Sequence, residues 1–274
     1  MKLWLTGIIL ILLGLAAWYF LGSGEPAVEE APPPAIVVEE APAPPPAPAE
    51  EPVVEEEPVV EDPVIEEPPL PDLAASDPVA LEALTDMVGA EPVNQYVAQE
   101  AIISRFVATV DALGGRQVPA VIQAVQGPGG EFQATADEQP EAVILDEVGD
   151  PVPQYVLDPV NYRRYTPYVE MVEDIEPGEA VAVYRRNQPL FDQAFAQLGY
   201  PDGDFEQRLR AIIDELLATP DVSEPIRLIK PEAFYLFADE DLESLSAGQK
   251  VLLRMGPENA ARIKAKLAEI RAVL

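Results

Sequence analysis

The sequence contains no cysteine and no histidine. Without cysteine there is no disulfide, no thiolate nucleophile and no zinc–thiolate or iron–sulfur site. Without histidine there is no Ser-His-Asp triad, no imidazole general base and no histidine ligand for haem or zinc. Basic residues are scarce too, at 17 against 49 acidic residues, so the net charge is −32 over 274 residues. A chain this acidic is repelled by nucleic acid, so we expect no nucleic-acid partner. We also expect no cofactor.

The basic residues are missing mainly from the N-terminal side. After Lys2 the next basic residue is Arg105, and 20 acidic residues lie between positions 25 and 100. Proline is also unevenly spread, since 15 of the 31 prolines lie in residues 25–71. The composition therefore divides the chain into three segments, which are residues 1–24, 25–71 and 72–274.

Residues 3–21 form an uncharged stretch that predicts a single transmembrane helix, because about 20 apolar residues cross the hydrocarbon core of a bilayer. Trp4 and Trp18 lie near its two ends, where aromatic rings favour the membrane interfaces. Lys2 is the only charged side chain next to it. The positive-inside rule therefore keeps the N-terminus in the cytoplasm and exports the rest. The alternative is a cleaved signal peptide, with the small residues 22–24 at its cleavage region.

Residues 25–71 combine 15 prolines with 14 acidic residues. Proline lacks the N–H that helices and paired strands need, and repulsion between carboxylates extends the chain. We interpret this segment as a disordered Pro/Glu-rich tether that holds the following domain away from the membrane. A proline-rich ligand for a partner domain is the alternative.

Residues 72–274 are long enough to bury a core, and their apolar residues recur at helical spacing. Helix start and stop signals predict a mainly α-helical domain with a small β element. The predicted helices cover residues 76–89, 92–113 with a break near Gln99, 158–174, 179–198, 204–217, 231–237, 246–255 and 257–274. Short strands are predicted at residues 132–135, 143–145 and 226–229.

Two copies of a Tyr-Arg-Arg-x-x-Pro pattern, 22 residues apart, supply the main candidate binding residues. These are Tyr162, Arg163, Arg164 and Tyr165 in the first copy, and Tyr184, Arg185 and Arg186 in the second. Guanidinium groups bind carboxylates and phosphates and stack on aromatic rings, which favours an acidic peptide, an anionic glycan or a lipid headgroup as ligand. The alternative is that the tyrosines fill the core while the arginines pair with the domain's own acids. The proline of each copy is expected to kink its helix.

The last 29 residues are locally basic, with six basic and two acidic side chains from Ser246 onward. Lys250 and Arg254 are therefore further candidates for binding an anion or partner. Residues 255–257 are similar to the turn of a helix-hairpin-helix, in which a helix N-terminus holds a phosphate. However, Arg254 replaces the usual first glycine, and a plain turn between two helices explains the residues equally well.

Carboxylates carry the remaining candidate chemistry. Asp202, Asp204 and Glu206 lie close together, but the ligand order of an EF-hand is absent, so we expect no metal site and interpret Asp204 as a helix cap. Ser246 and Lys250 are four residues apart, not the three of a Ser-x-x-Lys hydrolase. An enzyme built from this chain would be restricted to carboxylate chemistry, as in a glycosidase.

Four segments are distinctive, namely residues 105–111, 161–168, 198–203 and 242–267. The last of them runs LESLSAGQKVLLRMGPENAARIKAKL. In these segments the chain resembles a bacterial family known only as domain of unknown function 3014, and the resemblance covers nearly all of residues 72–274. It implies an N-terminal span, a variable linker and a C-terminal domain in the bacterial envelope. It implies no activity, ligand or site residue.

Together these features predict a non-catalytic, membrane-anchored interaction or scaffold protein of the bacterial cell envelope. Residues 3–21 would lie in the inner membrane and the C-terminal domain in the periplasm, bound to another envelope protein or to the cell wall. One alternative is a carboxylate-dependent cell-wall glycosidase, which predicts two facing carboxylates in a cleft. The other is a TonB-like energy transducer, although that family's linkers usually carry Lys-Pro repeats and residues 25–71 contain no lysine.

Overall fold

The computed structural model describes residues 69–140, 142–145, 148–231 and 234–274. The predicted membrane anchor, residues 3–21, lies outside the described residues. The predicted tether, residues 25–71, also lies outside them except for its last three residues. Within the described ranges, no helix is both long enough and apolar enough to cross a membrane.

Helices make up most of the described part of the chain, as the sequence predicts. The α-helices are α1 (Asp77–Val88), α2 (Ala90–Tyr96), α3 (Ile102–Leu113), α4 (Thr166–Glu173), α5 (Pro177–Gln197), α6 (Phe205–Leu217), α7 (Glu240–Ser244), α8 (Ala247–Arg254) and α9 (Pro257–Val273). Short 3-10 helices occupy Leu73–Ala75, Ala120–Ile122 and Pro159–Arg164.

The main hydrophobic core lies between α3 and α9. Helix α3 packs against α5, α6 and α8, whereas α9 packs against α4, α5, α6 and α8. At its centre Phe106, Phe191 and Phe205 meet with ring centroids 5.6, 5.9 and 6.0 Å apart. All three are fully buried, so α3, α5 and α6 face one another through their apolar sides.

The four-stranded sheet is antiparallel and has the order β1 (Ala134–Ala136), β2 (Gln154–Leu157), β3 (Arg227–Ile229) and β4 (Leu236–Phe237). Tyr155 pairs with Leu228, which in turn pairs with Phe237, so these side chains share one face. That face covers a second, smaller core formed by Leu157, Ile226, Leu228, Phe237 and Leu253.

The start of α3 depends on a contact between distant parts of the chain. The sequence places Ser76 as cap of α1, but the Ser76 hydroxyl donates to the Leu73 carbonyl instead (2.7 Å). The Asp77 carboxylate accepts hydrogen bonds from the backbone N–H groups of Ala101 and Ile102, both at 2.8 Å. A side chain of α1 therefore satisfies donors that the first turn of α3 leaves open.

Several predicted elements differ from those observed. Residues 92–113 do break near Gln99, because α2 ends at Tyr96 and α3 begins at Ile102. The helix predicted from residue 158 is two helices, since Pro167 lies in the first turn of α4 and Tyr165 separates it from the preceding 3-10 helix. The helix predicted at residues 231–237 is wrong at its described end, where Leu236 and Phe237 form β4.

The strand predictions are also only partly correct. The strand expected at residues 132–135 is Ala134–Ala136, and β2 was not predicted at all. The expected strand at residues 143–145 is reduced to a single bridge between Leu145 and Pro151. Of the two prolines expected to kink helices, Pro189 lies inside α5, which continues through it.

Candidate functional site

Tyr162 of the first Tyr-Arg-Arg copy packs against the turn between α8 and α9. Its hydroxyl donates to the Glu224 carboxylate (2.6 Å). A Cβ added to Gly256 would lie 2.5 Å from Tyr162 Cγ, and Gly256 has φ +86°. Burial, and then the hydrogen bond to Glu224, raises the pKa of Tyr162. The Tyr162 hydroxyl is therefore protonated at neutral pH. The Tyr162 ring occupies the space in which a side chain at position 256 would lie, so this position requires glycine.

The other residues of the first copy divide between the core and a turn. Arg164 donates to the carbonyls of Pro128 (2.9 Å), Gly129 (3.0 Å) and Gly130 (2.8 Å). Tyr165 is fully buried, and Arg163 is exposed. The Arg164 guanidinium thus holds a glycine-rich turn of its own chain.

The second copy is anchored elsewhere. Tyr184 is fully buried against Phe191, and burial raises its pKa. Arg185 donates to the carbonyls of Leu274 (2.9 Å) and Val273 (3.3 Å), and Arg186 is half-buried. The two copies therefore contact different parts of the fold.

Lys250 and Arg254 of α8 contact α7 and the β4 region, respectively. Lys250 is 1% exposed, and its Nζ lies 2.7 Å from Glu243 Oε1. The other oxygen of Glu243 accepts the backbone N–H of Phe237 (2.9 Å). Arg254 donates to the Tyr235 carbonyl (2.9 Å), and its guanidinium lies 5.0 Å from the Phe237 ring centroid. These two cations therefore attach the edge of the sheet to the helices.

The basic residues of α9 also bind groups of the fold. Arg262 pairs with Glu173, and Arg271 pairs with Asp214 (2.8 Å). Lys264 donates to the Thr219 carbonyl (2.6 Å), and Lys266 donates to the Ile175 carbonyl (2.9 Å). The positive charge counted from the sequence is thus distributed over contacts with neighbouring helices and loops.

The carboxylates at the start of α6 have a structural role. The Asp204 side chain accepts the backbone N–H of Gln207 (3.0 Å), so Asp204 caps α6 as predicted. Glu206 pairs with Arg210 (2.6 Å). Within the ranges that the structure describes, no group of three or more acidic side chains is arranged to hold a metal ion.

A pocket of about 390 Å³ lies at the sheet, and we call it the hairpin pocket. Its lining includes Ala142 and Ile144 from the β1–β2 connection, Gln154 of β2, and Arg227, Asp239 and Leu242 from the β3–α7 region. Among the described residues Asp239 is the one carboxylate that lines the pocket, and it caps α7 by accepting the Asp241 N–H (2.9 Å).

Exposed apolar side chains lie beside this pocket. Val143, Leu145 and Val148 are 64%, 57% and 83% exposed, and we call these three residues the apolar tip. The tip is held by the Val152 N–H, which donates to the Ile144 carbonyl (2.8 Å), and by the bridge between Leu145 and Pro151. Three large apolar side chains exposed within six residues are typical of a surface that binds another molecule.

The sequence did not reveal this surface. Its residues come from positions 142–154 and 222–242, and the register of β2 with β3 brings them together. The one signal in the sequence is the apolar run at residues 143–145, whose pattern predicts a strand. A smaller pocket of about 100 Å³ lies between residues 219–226 and the start of α9, with Lys264 at its rim.

The comparisons with known proteins identify a family and no function. The family described as "Protein of unknown function (DUF3014)" matches residues 102–271, which span α3 to α9. No curated protein and no solved structure matches the chain.

Proposed function

The chain belongs to the DUF3014 family, and from this premise we propose that it is a single-pass membrane protein whose C-terminal domain binds another protein of the bacterial cell envelope. In this proposal residues 3–21 span the inner membrane, residues 25–71 form a disordered tether, and residues 72–274 lie in the periplasm. The absence of charge in residues 3–21 and the 15 prolines of residues 25–71 support this layout.

The observation that carries the binding role is the apolar tip beside the hairpin pocket. Leaving Val143, Leu145 and Val148 in water is unfavourable, and a partner that covers them regains the free energy of apolar burial. A pocket next to an exposed apolar segment offers a partner side chain a place to insert. The partner is therefore a protein that contributes an apolar surface to the tip and a side chain to the hairpin pocket.

The arginines and lysines support a protein partner more than an anionic glycan or lipid. Arg164 binds backbone carbonyls, Lys250 is buried against Glu243, and Arg262 pairs with Glu173. A ligand phosphate would have to displace these internal contacts. Tyr162, Arg164, Tyr165, Tyr184 and Arg185 accordingly act in this proposal by holding the domain together.

The binding role is tested by photo-crosslinking in intact membranes with a photoreactive residue at position 145 of the full chain. We expect one crosslinked partner, and we expect the triple variant Val143→Asn, Leu145→Asn, Val148→Asn to abolish the corresponding complex in affinity purification. The matched control replaces two exposed apolar residues elsewhere, Val121→Asn and Leu198→Asn, and should leave the complex intact. An unchanged complex in the triple variant would contradict the binding role.

The topology is tested separately with a reporter enzyme that is active only outside the cytoplasm. Leu274 is buried and its carbonyl accepts from Arg185, so the reporter is attached through a flexible linker. We expect activity from this fusion and none from a fusion that lacks residues 3–21. Activity of a cytoplasmic reporter at the same position would overturn the proposed location. Shortening residues 25–71 should lower the crosslinking yield, because the tether sets the reach of the domain.

A further inference from the structure

The sheet has two edges, and among the described residues only the β4 edge is covered. At β4 the Ala238 N–H donates to the Arg227 carbonyl (3.0 Å), so the backbone groups of Phe237 point away from β3. The Phe237 N–H is satisfied by Glu243 (2.9 Å), which Lys250 holds in place. Helix α7 therefore covers the β4 edge.

The opposite edge is β1, and its register shows which groups are open. The Asp137 N–H donates to the Gln154 carbonyl (2.9 Å), and the Asp158 N–H donates to the Gln133 carbonyl (3.2 Å). Backbone groups of alternate residues point toward β2, so those of Ala134 and Ala136 point away from the sheet. The structure shows no hydrogen bond from another described residue to these outward groups.

Residues 133–136 at the β1 edge carry neither lysine nor proline, two of the residues with which natural sheets protect their edges. Natural edges carry lysine, proline, a bulge or an inward-pointing charge that prevents another strand from pairing. Here residues 133–136 read Gln-Ala-Thr-Ala, and the small side chains of Ala134 and Ala136 leave the backbone accessible. Thr135 and Ala136 are exposed. This edge is therefore ready to accept an additional strand.

The acidic residues around β1 determine which charge a partner strand needs in order to pair with it. The exposed carboxylates of Glu131 and Glu138 flank it, and neither forms an ion pair with a described residue. Residues 117–162 contain eight acidic residues and no lysine or arginine. Two arginines from elsewhere approach this region, but Arg227 pairs with Asp137 (3.2 Å) and Arg164 binds the carbonyls of the glycine-rich turn.

We infer that the β1 edge accepts an extended, positively charged segment of a partner protein as a fifth strand of the sheet. Backbone hydrogen bonds to Ala134 and Ala136 would fix the segment, and basic residues at its two ends would meet Glu131 and Glu138. A second copy of β1 is disfavoured because it brings acidic residues against acidic residues. The chain's own residues 3–104 contain no basic residue and do not provide such a segment. The inference rests on the proposed protein-binding role and specifies where and how the partner pairs.

Hydrogen exchange of the full chain in detergent tests this inference with two synthetic strands as probes. The basic probe is Lys-Val-Thr-Val-Thr-Val-Lys, and the acidic probe replaces both lysines with glutamate. With the basic probe we expect exchange of the Ala134 and Ala136 amides to slow by about tenfold or more, whereas the Thr135 amide, which already points toward β2, changes little. The acidic probe should slow neither, and added salt should weaken the effect of the basic one.

Two variants separate backbone pairing from charge. Ala136→Pro removes an outward N–H and should abolish the slowing, and the double variant Glu131→Lys, Glu138→Lys should abolish it for the basic probe while leaving the fold intact. If Ala136→Pro does not fold, the charge variant still decides the question. Equal slowing by both probes, or no slowing by the basic probe, would overturn the inference. If a partner is crosslinked through position 145 but the exchange rates of the Ala134 and Ala136 amides do not change with the basic probe, the proposed function stands. Only the inference that the partner pairs with the β1 edge is then refuted.

Discussion

The Lys250–Glu243 pair is the most informative contact to perturb. The Lys250 side chain is 2% exposed and that of Glu243 is 21% exposed, and their charged atoms lie 2.7 Å apart. Glu243 also accepts the Phe237 N–H, and the Lys250 ammonium lies 3.3 Å from the Glu243 carbonyl oxygen. The pair therefore joins α7, α8 and β4, and removing either partner leaves the other charge with little water around it.

The expected losses in the free energy of unfolding differ because Lys250 is more deeply buried than Glu243. Glu243→Leu removes the carboxylate that lies 2.7 Å from a buried ammonium and should lower the free energy of unfolding by about 3–5 kcal/mol. Lys250→Met keeps the side-chain volume and leaves a carboxylate that still accepts one N–H, so we expect a cost of about 2–3 kcal/mol. The double variant removes both charges of the pair together with the acceptor of the Phe237 N–H, and should cost about 1–3 kcal/mol.

Urea unfolding of the full chain in detergent, followed by far-ultraviolet circular dichroism, measures these values. Tryptophan fluorescence is unsuitable, because Trp4 and Trp18 are the only tryptophans and lie outside the domain. Glu240→Leu, at an exposed position of α7, serves as the control and should change stability by less than about 0.5 kcal/mol. Single-variant costs that add in the double variant within about 0.5 kcal/mol would refute the coupling.

Three further changes test other contacts. Asp77→Ala should lower stability by about 1 kcal/mol and speed hydrogen exchange at Ile102, because it removes the cap of α3. Gly256→Ala should cost about 3 kcal/mol in urea unfolding, since a Cβ at φ +86° is strained and meets the Tyr162 ring at 2.5 Å. Burial raises the pKa of Asp192 above its ordinary value of 3.8, so the folded state binds this proton more tightly than the unfolded state does. Asp192→Asn should therefore raise the melting temperature at neutral pH, and the gain should vanish below about pH 3.8.

Matched variants give each of these tests a reference. Asp86→Ala changes an exposed aspartate of α1 and should leave the exchange of Ile102 unaffected. Gly149→Ala shares a positive φ of +90°, but nothing lies within 4 Å of its added Cβ, so it measures backbone strain without the clash. Equal costs at Gly149 and Gly256 would refute the role assigned to the Tyr162 ring. A stabilisation by Asp192→Asn that persists in acid would refute its titration as the cause.

The helical part of the domain was accessible from the sequence because its signals are local. Gly89 closes α1, Asp204 caps α6 and Pro257 opens α9 where the sequence places them. The sheet was less accessible, because its strands have two to four residues and depend on partners far along the chain. Leu236 and Phe237 fit a helix or a strand by pattern alone, and pairing with β3 decides between them.

Side-chain partners were the least predictable feature. The sequence shows that Arg164 and Lys250 are charged, but not that one binds three carbonyls of a distant turn and the other is buried against Glu243. Asp77 looks like part of a local cap and instead serves a helix 25 residues later. Such contacts arise from tertiary packing, which composition and periodicity do not specify. For the same reason the candidate binding residues were chosen by charge, whereas the exposed surface at the sheet became visible only in three dimensions.

The position of α9 at the end of the domain affects how the chain folds during synthesis and how it responds to truncating mutations. It contributes Ile263, Leu267 and Ile270 to the main core and packs against four earlier helices. The start of α5 at Pro177 and the start of α9 at Pro257 are roughly 80 residues apart, or about 4–16 s of synthesis at ~5–20 residues per second. During that interval the nascent chain exposes apolar surface to chaperones. A stop codon anywhere before Pro257 would therefore yield an unfolded product for proteases, and such alleles should behave as complete losses of the gene.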